Sequence, residues 1–439
     1  MAGQLGVWNA QQLTPESLAY NINFYQEIRG DLDVELLVEA LRRTLDQAEA
    51  YRLRFRLVDG LPWQYVDGAD GYPIQVIDVS GEADPQAAAE GWMRADAGRR
   101  VALTHDAMSV HAIFILESRR FFWYQRVHHI AVDGYSASLF ASAVARLYCA
   151  LREGRATTDR TLEPLPVLMD AERSYRDSAS FARDRQFWLD CLSDLPDDLR
   201  RGQTRPRWSP DALERHTHSI DPEEAAGLRA VASRWRTSLA EMAIVAAAMY
   251  QLRATGARDV VLATTVVGRT GMRELAAVGM TANMIPLRFK MDHRTSVADF
   301  VHEAVKTIRA GLRHQRYRYE DILRDLKVLD GAPIFGLKIN VMSLDQLRFG
   351  DCTAVTRAFS MGPVEDQVIN VYDPTEAGGI QVDVAVNRDR PDSSAAGRVA
   401  GWFVGVLEVV SGGPDVRLHA VDVLDAVERD RVVVGWNRT

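Results

Sequence analysis

The chain has 439 residues, of which 47% are hydrophobic and 26% charged, a balance typical of a folded globular protein. It excludes a disordered chain, a collagen and a small disulfide-stabilised scaffold. A single hydrophobic core rarely serves so long a chain, so we expect two domains of about 200 residues each. The formal net charge is −8, without a basic tail or stripe, and we therefore expect no nucleic acid partner.

The three cysteines are too few and too far apart to form a disulfide framework or a zinc site. We expect reduced thiols at Cys149, Cys191 and Cys352, and no metal. No stretch reaches the roughly 18 apolar residues that a membrane span needs. The first ~30 residues lack the layout of a signal peptide. We therefore expect a cytoplasmic protein that does not bind a membrane.

The first half of the chain predicts alternating helices and strands. Asp33 is well placed to cap the start of an amphipathic helix. Apolar and arginine residues alternate from Arg52 to Leu57, which predicts a half-buried strand, and Asp59 and Gly60 turn it back into a hairpin. Two further strands are predicted over 110–116 and 121–127, and a helix with an apolar residue at every fourth position follows them.

The second half begins after a stretch near 195–213 that is rich in proline and arginine and has little periodicity, which predicts a connector. Beyond it, helices are predicted over 238–250, 297–312 and 395–410, and strands over 259–265, 284–289, 335–341, 368–372 and 380–386. We infer an α/β protein with an N-terminal half at 1–190 and a C-terminal half at 191–439.

The residues that point to chemistry lie in Gln125–Ser136, where an aromatic-rich strand ends ahead of a helix. Turns of this kind hold side chains rigidly at the edge of a sheet. His128 and His129 point to opposite faces of an extended backbone, so they cannot easily share one metal ion. Alone, they are best interpreted as hydrogen-bonded core histidines. Asp133 and Gly134 favour a functional site instead, because a carboxylate fixes local geometry and glycine lets the backbone approach a bound group.

His128 to Ser136 reads His-His-Ile-Ala-Val-Asp-Gly-Tyr-Ser and resembles the H-H-x-x-x-D-G motif of condensation domains in nonribosomal peptide synthetases. Those domains share a structural superfamily with chloramphenicol acetyltransferase. The resemblance extends over nearly the whole chain. The other residues that carry it are Gln4, Trp8, Glu49, Arg52, Phe55, Arg269, Asn283, His314, Glu320, Pro333, Phe335 and Asn340. Departures from the family pattern, among them Gly3, Arg316 and Arg318, lie in the outer motifs and bear on subtype rather than on family.

The resemblance implies two chloramphenicol acetyltransferase-like halves, each a mixed sheet with helices, arranged as a V around a central channel. It implies that His129 is catalytic and hydrogen-bonds the attacking amine, either as general base or as positioner. It also makes Asp133 a structural carboxylate. If buried, this carboxylate needs an arginine partner, for which Arg269 is the first candidate and Arg52 the second.

The same resemblance gives roles to five neighbouring or distant residues. The backbone of Gly134 approaches the tetrahedral oxyanion, and His128 packs and hydrogen-bonds around the catalytic loop. Tyr135, Ser136 and Asn340 are candidates for lining the channel. A core position suits Tyr135 as well, and a capping or ladder role suits Asn340.

The implied reaction is amide formation between a donor acyl thioester and the α-amine of an acceptor aminoacyl thioester. No cofactor is bound intrinsically, because both substrates arrive on the 4'-phosphopantetheine arms of peptidyl or aryl carrier domains. An adenylation domain is a further expected partner, since Trp436–Thr439 resembles the start of a linker to such a domain. Two alternatives remain open: an epimerisation or ester-forming relative, and a non-catalytic recruitment domain. The sequence has no nucleophile elbow, P-loop or dinucleotide-binding motif.

Three short segments bear on the donor: Trp123–Arg126, His314–Tyr317 and Gly362–Val364. They resemble the condensation domain of the serine-activating enterobactin synthase subunit. This resemblance implies an aryl donor, such as dihydroxybenzoate, in a siderophore pathway.

Overall fold

The computed structural model describes residues 1–68, 73–155, 160–196, 213–292, 294–328, 333–344, 346–360, 362–364, 366–374, 378–387, 396–412 and 416–421. The chain divides into two compact units. Unit 1 consists of Met1–Phe181, Val267–Ala282 and Asp345–Pro363, and unit 2 consists of Ala182–Val266, Asn283–Leu344 and Val364–Thr439. Within the described ranges, we find no helix with the length and apolar character that a membrane span requires.

Unit 1 is a mixed α/β structure. Its strands are β1 (Asn21–Arg29), β2 (Leu53–Val58), β3 (Leu61–Val66), β4 (Ile74–Asp78), β5 (Ser109–Glu117), β6 (Arg120–His128), β11 (Arg348–Phe349) and β12 (Cys352–Ala358). Its helices are α1 (Ala2–Leu13), α2 (Val34–Gln47), α3 (Pro85–Ala97), α4 (Gly134–Arg152), α5 (Pro166–Arg176) and the short α9 (Met272–Leu275), with a 3-10 turn at Glu49–Arg52. Six strands form one sheet in the order β11-β12-β1-β6-β5-β4, and β2 and β3 form a separate hairpin.

Strand β6 lies inside this sheet and is antiparallel to both of its neighbours, β1 and β5. Its last residue, His128, stands opposite Asn21 at the start of β1. The strand is buried along almost its whole length, and Trp123 is among the largest fully buried side chains. Because β6 is hydrogen-bonded along both edges, the residues that follow it leave the sheet from a rigid position.

Several local predictions for this unit are confirmed. The side chain of Asp33 accepts a 3.0 Å hydrogen bond from the backbone N–H of Leu36 and caps α2. The hairpin turn has positive φ at both central residues, 52° at Asp59 and 77° at Gly60, which is the geometry that matches the twist of the flanking strands. The strands predicted over 110–116 and 121–127 are β5 and β6.

Unit 2 is also a mixed α/β structure. Its strands are β7 (Leu213–Ile220), β8 (Asp259–Val266), β9 (Asn283–Lys290), β10 (Leu337–Leu344), β13 (Gln367–Pro374) and β14 (Ile380–Asn387). Its helices are α7 (Pro222–Arg234), α8 (Leu239–Thr255), α10 (Val297–Arg313), α11 (Tyr319–Asp325) and α12 (Ala396–Gly412), with a 3-10 turn at Leu418–Ala420; α6 (Ala179–Leu192) spans the boundary between the units. The sheet order is β7-β14-β13-β10-β8-β9, with β10 parallel to β13 and to β8.

Each unit is built from three separate stretches of the chain. The prediction had instead two contiguous halves, at 1–190 and 191–439. Segments 267–282 and 345–363 belong to unit 1. The second of them carries β12, which pairs with β1 from Phe24↔Ala358 to Arg29↔Thr353. Pairing between distant segments leaves no local mark in a sequence, so a single boundary was predicted instead. Of the connector predicted near 195–213, residues 197–212 lie outside the described part of the chain.

Candidate active site

The two histidines at the end of β6 occupy different environments. The backbone N–H of His128 donates to Met108 O at 2.7 Å, and that of His129 donates to Tyr20 O at 2.8 Å. The side chain of His128 is buried, whereas His129 is partly exposed. The backbone therefore holds both residues in place, and the side chain of His129 is the more exposed of the two.

His128 is a neutral hydrogen-bond acceptor. Burial lowers its pKa to about 3, with smaller contributions from the neighbouring His129 and Arg126. Its Nδ1 accepts a 3.2 Å hydrogen bond from the backbone N–H of Ile130, so its proton is on Nε2. An imidazole held in this way supports the loop and is poorly suited to exchange protons with a substrate at neutral pH.

Asp133 begins α4 as its N-cap. Its Oδ1 accepts from the backbone N–H of Ser136 at 2.8 Å. Its Oδ2 accepts from the backbone N–H groups of Thr281 and Ala282, at 2.9 and 3.0 Å, and lies 3.2 Å from Nη1 of Arg269. Burial by itself raises the pKa of this carboxyl, but the Arg269 charge and the amide hydrogen bonds outweigh burial and lower the pKa below its usual value.

Arg269 is the partner of Asp133, and the second candidate, Arg52, is not. The Arg269 guanidinium is buried and also donates to Ser136 Oγ at 2.7 Å and to Gly279 O at 2.9 Å. Arg52 instead donates to two backbone carbonyls, those of Asp46 and Asp67, each at 3.0 Å. The Arg52 guanidinium therefore joins the end of α2 to the residue after β3, and it does not contact Asp133.

The residues after Asp133 differ in exposure. Gly134 is exposed, and a Cβ built on it would meet no heavy atom of the described residues within 4 Å. Tyr135 is partly buried, donates to Leu275 O at 2.9 Å and has its ring 5.0 Å from the Arg269 guanidinium carbon. Ser136 is fully buried, and its Oγ donates to Gly279 O and accepts from Gly279 N–H. The Ser136 side chain thus connects the start of α4 to segment 267–282, and its role in lining a channel stays a prediction.

Residues 2–433 match the sequence model of the condensation domain family. The chain belongs to this family. A dimodular nonribosomal peptide synthase of Bacillus subtilis is 36% identical over 439 residues, which are 99% of this chain and 18% of that protein. Enterobactin synthase component F of Escherichia coli is 28% identical over 399 residues, 89% of this chain and 30% of that protein. The condensation domain therefore spans less than a third of the length of these relatives.

Solved condensation domains have the same fold. A variant of the starter condensation domain of rhizomide synthetase RzmA, in complex with C8-CoA, aligns with a TM-score of 0.87 at 32% identity and covers 96% of each chain. The first condensation domain of the calcium-dependent antibiotic synthetase, in complex with a substrate analogue, aligns with a TM-score of 0.86 at 30% identity, covering 97% of this chain and 98% of the other. The predicted family, its nonribosomal peptide synthetase context and its chloramphenicol acetyltransferase-like fold are confirmed.

Three further observations concern residues of this condensation domain. Asn340 lies on β10 of unit 2, in register with Asn370 of β13, and its role in a channel stays a prediction. Gln4 was noted only as part of a family motif. The structure shows its side-chain amide donating to Ile130 O at 3.1 Å, one residue after His129. The backbone amides of Thr281 and Ala282 were not predicted at all, because every residue has an amide and the sequence does not mark which ones are used.

Proposed function

We propose that this condensation domain forms an amide bond between a donor acyl thioester and the α-amine of an acceptor aminoacyl thioester. The observation that supports this function best is the position of His129 and the way its backbone is held. It is partly exposed, it directly follows a central strand, and its backbone N–H is held by Tyr20 O. An imidazole can hydrogen-bond an amine near neutral pH, and a rigid backbone gives that hydrogen bond a defined direction.

In the reaction, the acceptor nitrogen attacks the carbonyl carbon of the donor thioester. The C–N bond forms and the C–S bond breaks, and the donor arm leaves as a thiol after the proton lost by the amine is transferred. His129 orients the amine or accepts this proton. A thioester is already activated, so the domain needs no covalent intermediate and contributes orientation and proton handling.

Asp133 has a structural part in this mechanism. Its two oxygens accept hydrogen bonds from Ser136, Thr281 and Ala282, and the carboxylate faces Arg269 in a buried position. A carboxylate with a lowered pKa and occupied lone pairs is a poor base. It stabilises the start of α4 and thereby the loop that carries His129.

The substrates and partners belong to the same proposal. Donor and acceptor arrive on 4'-phosphopantetheine arms of carrier domains, and an adenylation domain of the same synthetase loads the acceptor carrier. Relatives of the chain are long synthetases that contain more than this domain, which supports such neighbours. The donor implied by the likeness to enterobactin synthase is an aryl group. Location in the cytoplasm stays a prediction from the sequence.

The test is an assay with two loaded carrier proteins, followed by mass spectrometry of the acceptor-bound product. Aryl, octanoyl and aminoacyl donors are compared with one acceptor. The wild-type domain should transfer at least one donor to the acceptor amine, and His129→Ala should reduce the rate by about 100-fold or more. His302→Ala is the matched control, because His302 is an exposed residue of α10. Wild-type turnover by His129→Ala would contradict the catalytic role.

A reaction with a single loaded carrier separates condensation from epimerisation. Epimerisation inverts Cα of the aminoacyl group without a second carrier, whereas amide formation requires both. Inversion in the single-carrier reaction, with no amide product in the two-carrier reaction, would overturn the proposed function.

A further inference from the structure

The residue after the catalytic histidine is held through both of its peptide groups. The N–H of Ile130 donates to His128 Nδ1 at 3.2 Å, and its carbonyl accepts from Gln4 Nε2 at 3.1 Å. From this arrangement, and resting on the function proposed above, we propose that Gln4 is a positioning residue for His129. It acts by fixing the Ile130–Ala131 peptide group, the second peptide group after the catalytic residue.

Gln4 is built into the structure as a fixed donor. It lies in the first turn of α1, is 4% exposed, and its Oε1 accepts from the nitrogen of Met1 at 3.1 Å. With the oxygen engaged in this way, the side-chain NH₂ points at the Ile130 carbonyl. The two residues are 126 positions apart in the sequence. The hydrogen bond therefore joins the first helix of the chain to the catalytic loop, rather than stabilising a local turn.

Three successive peptide groups around His129 have hydrogen-bond partners, two of them distant in the sequence and one, the His128 imidazole, within the loop. The first is the N–H of His129, which donates to Tyr20 O, and the other two are the N–H and carbonyl of Ile130. With the backbone held on both sides, the imidazole of His129 retains only its own side-chain torsions. Such restraint is what an orientation-based reaction needs.

The loss of the Gln4 donor should therefore affect turnover more than substrate binding. A buried carbonyl without a partner is unfavourable, so the loop is expected to shift toward another donor. A misplacement of about 1 Å can reduce a rate by about 100-fold. We expect Gln4→Met to lower kcat by about 10- to 100-fold while KM for both loaded carriers changes by less than about 3-fold.

Gln11 provides the matched control. It lies in the same helix, is 5% exposed, and its side-chain amide donates to the carbonyls of Thr14, Pro15 and Ser17 at 3.1–3.2 Å. Gln11→Met thus removes an equally buried amide that holds a turn and not the catalytic loop. It should lower the melting temperature at least as much as Gln4→Met and leave kcat within about 3-fold of wild type.

A second variant covers the case in which Gln4→Met does not fold. Gln4→Glu keeps an acceptor at the third position of α1, where glutamate is favourable, but has no N–H for the Ile130 carbonyl. It should fold and show the same loss of kcat. Unchanged kcat in either folded Gln4 variant, or an equal loss in Gln11→Met, would overturn the inference. If the wild-type domain forms no amide, the proposed function fails; if it does and the Gln4 variants keep their kcat, only the positioning role fails.

Discussion

Asp133 and Arg269 are 136 positions apart in the sequence and form an ion pair whose side chains are 1% and 0% exposed. The pair joins the start of α4 to segment 267–282, which departs from the strands of unit 2 and packs in unit 1. A buried ion pair is stabilising only when both charges are well coordinated, and both are coordinated here by further hydrogen bonds. The loop that carries His129 therefore depends on an ion pair with a residue far outside the His128–Ser136 motif.

Asp133→Asn should destabilise unit 1 strongly. The buried Arg269 charge loses its counter-charge, which costs about 3–5 kcal/mol. The measurement is the free energy of unfolding from urea titrations at pH 7. Glu163→Gln is the control, because Arg273 in its pair with Glu163 is exposed and Glu163 is only partly buried, so the pair should contribute at most about 1 kcal/mol. Similar losses for the two variants would contradict the structural role of Asp133.

Ser136→Ala should also destabilise the domain. The hydroxyl makes hydrogen bonds to both backbone groups of Gly279 and accepts from Arg269, so its removal leaves buried polar groups without a partner. We expect a loss of about 1–3 kcal/mol in the free energy of unfolding. Ser233→Ala, an exposed residue of α7 whose hydroxyl donates to Arg229 O, should change it by less than about 0.5 kcal/mol. A stability equal to that of Ser233→Ala would disprove this assignment for Ser136.

Stability should fall as the pH decreases from about 6.5 toward 3. Burial lowers the pKa of His111 and of His128 to about 3, whereas a histidine in the unfolded chain titrates near 6.5. In that window the unfolded state binds more protons, so stability is complete above it and is lost on acidification. Each histidine contributes about 1.4 kcal/mol per pH unit. The lowered pKa of Asp133 adds a further loss in the same direction below its unfolded pKa.

His111→Phe tests this pH dependence. Neither ring nitrogen of His111 has a hydrogen-bond partner among the described residues, and the ring packs against Tyr51 and Phe140. The variant should keep or increase stability at pH 7 and lower the slope between pH 6 and 4 by about 1.4 kcal/mol per pH unit, because one titrating histidine is removed. Urea titrations at several pH values give both quantities. An unchanged slope would show that His111 does not titrate in this range.

Gly268→Ala should be more destabilising than Gly256→Ala. Both glycines have a φ of +67°, which costs an alanine about 1–2 kcal/mol. A Cβ at Gly268 would also lie 2.4 Å from Thr281 O, whereas one at Gly256 would meet no heavy atom of the described residues within 4 Å. The difference between the two losses of unfolding free energy measures the cost of the clash between the new Cβ and Thr281 O within segment 267–282. Equal losses would mean that this segment adjusts without strain.

Local structure was predictable where neighbouring residues decide it. Asp33 caps its helix, Asp59 and Gly60 form the hairpin turn, and the helix after the histidine motif begins at Gly134. The resemblance carried by His128–Ser136 was sufficient to name the family. These features follow from short-range hydrogen bonds and side-chain patterns, which a sequence displays directly.

The sequence by itself determined the family, the position of His129 at the end of a strand and the need for a counter-charge near Asp133. Only the tertiary structure decided that Arg269 and not Arg52 supplies this charge, that Ser136 is buried, and that Gln4 reaches the loop of His129. It also decided which segments belong to unit 1. The physical reason is that these choices depend on packing between residues more than 100 positions apart, where many arginines and amides are chemically equivalent and only proximity selects among them.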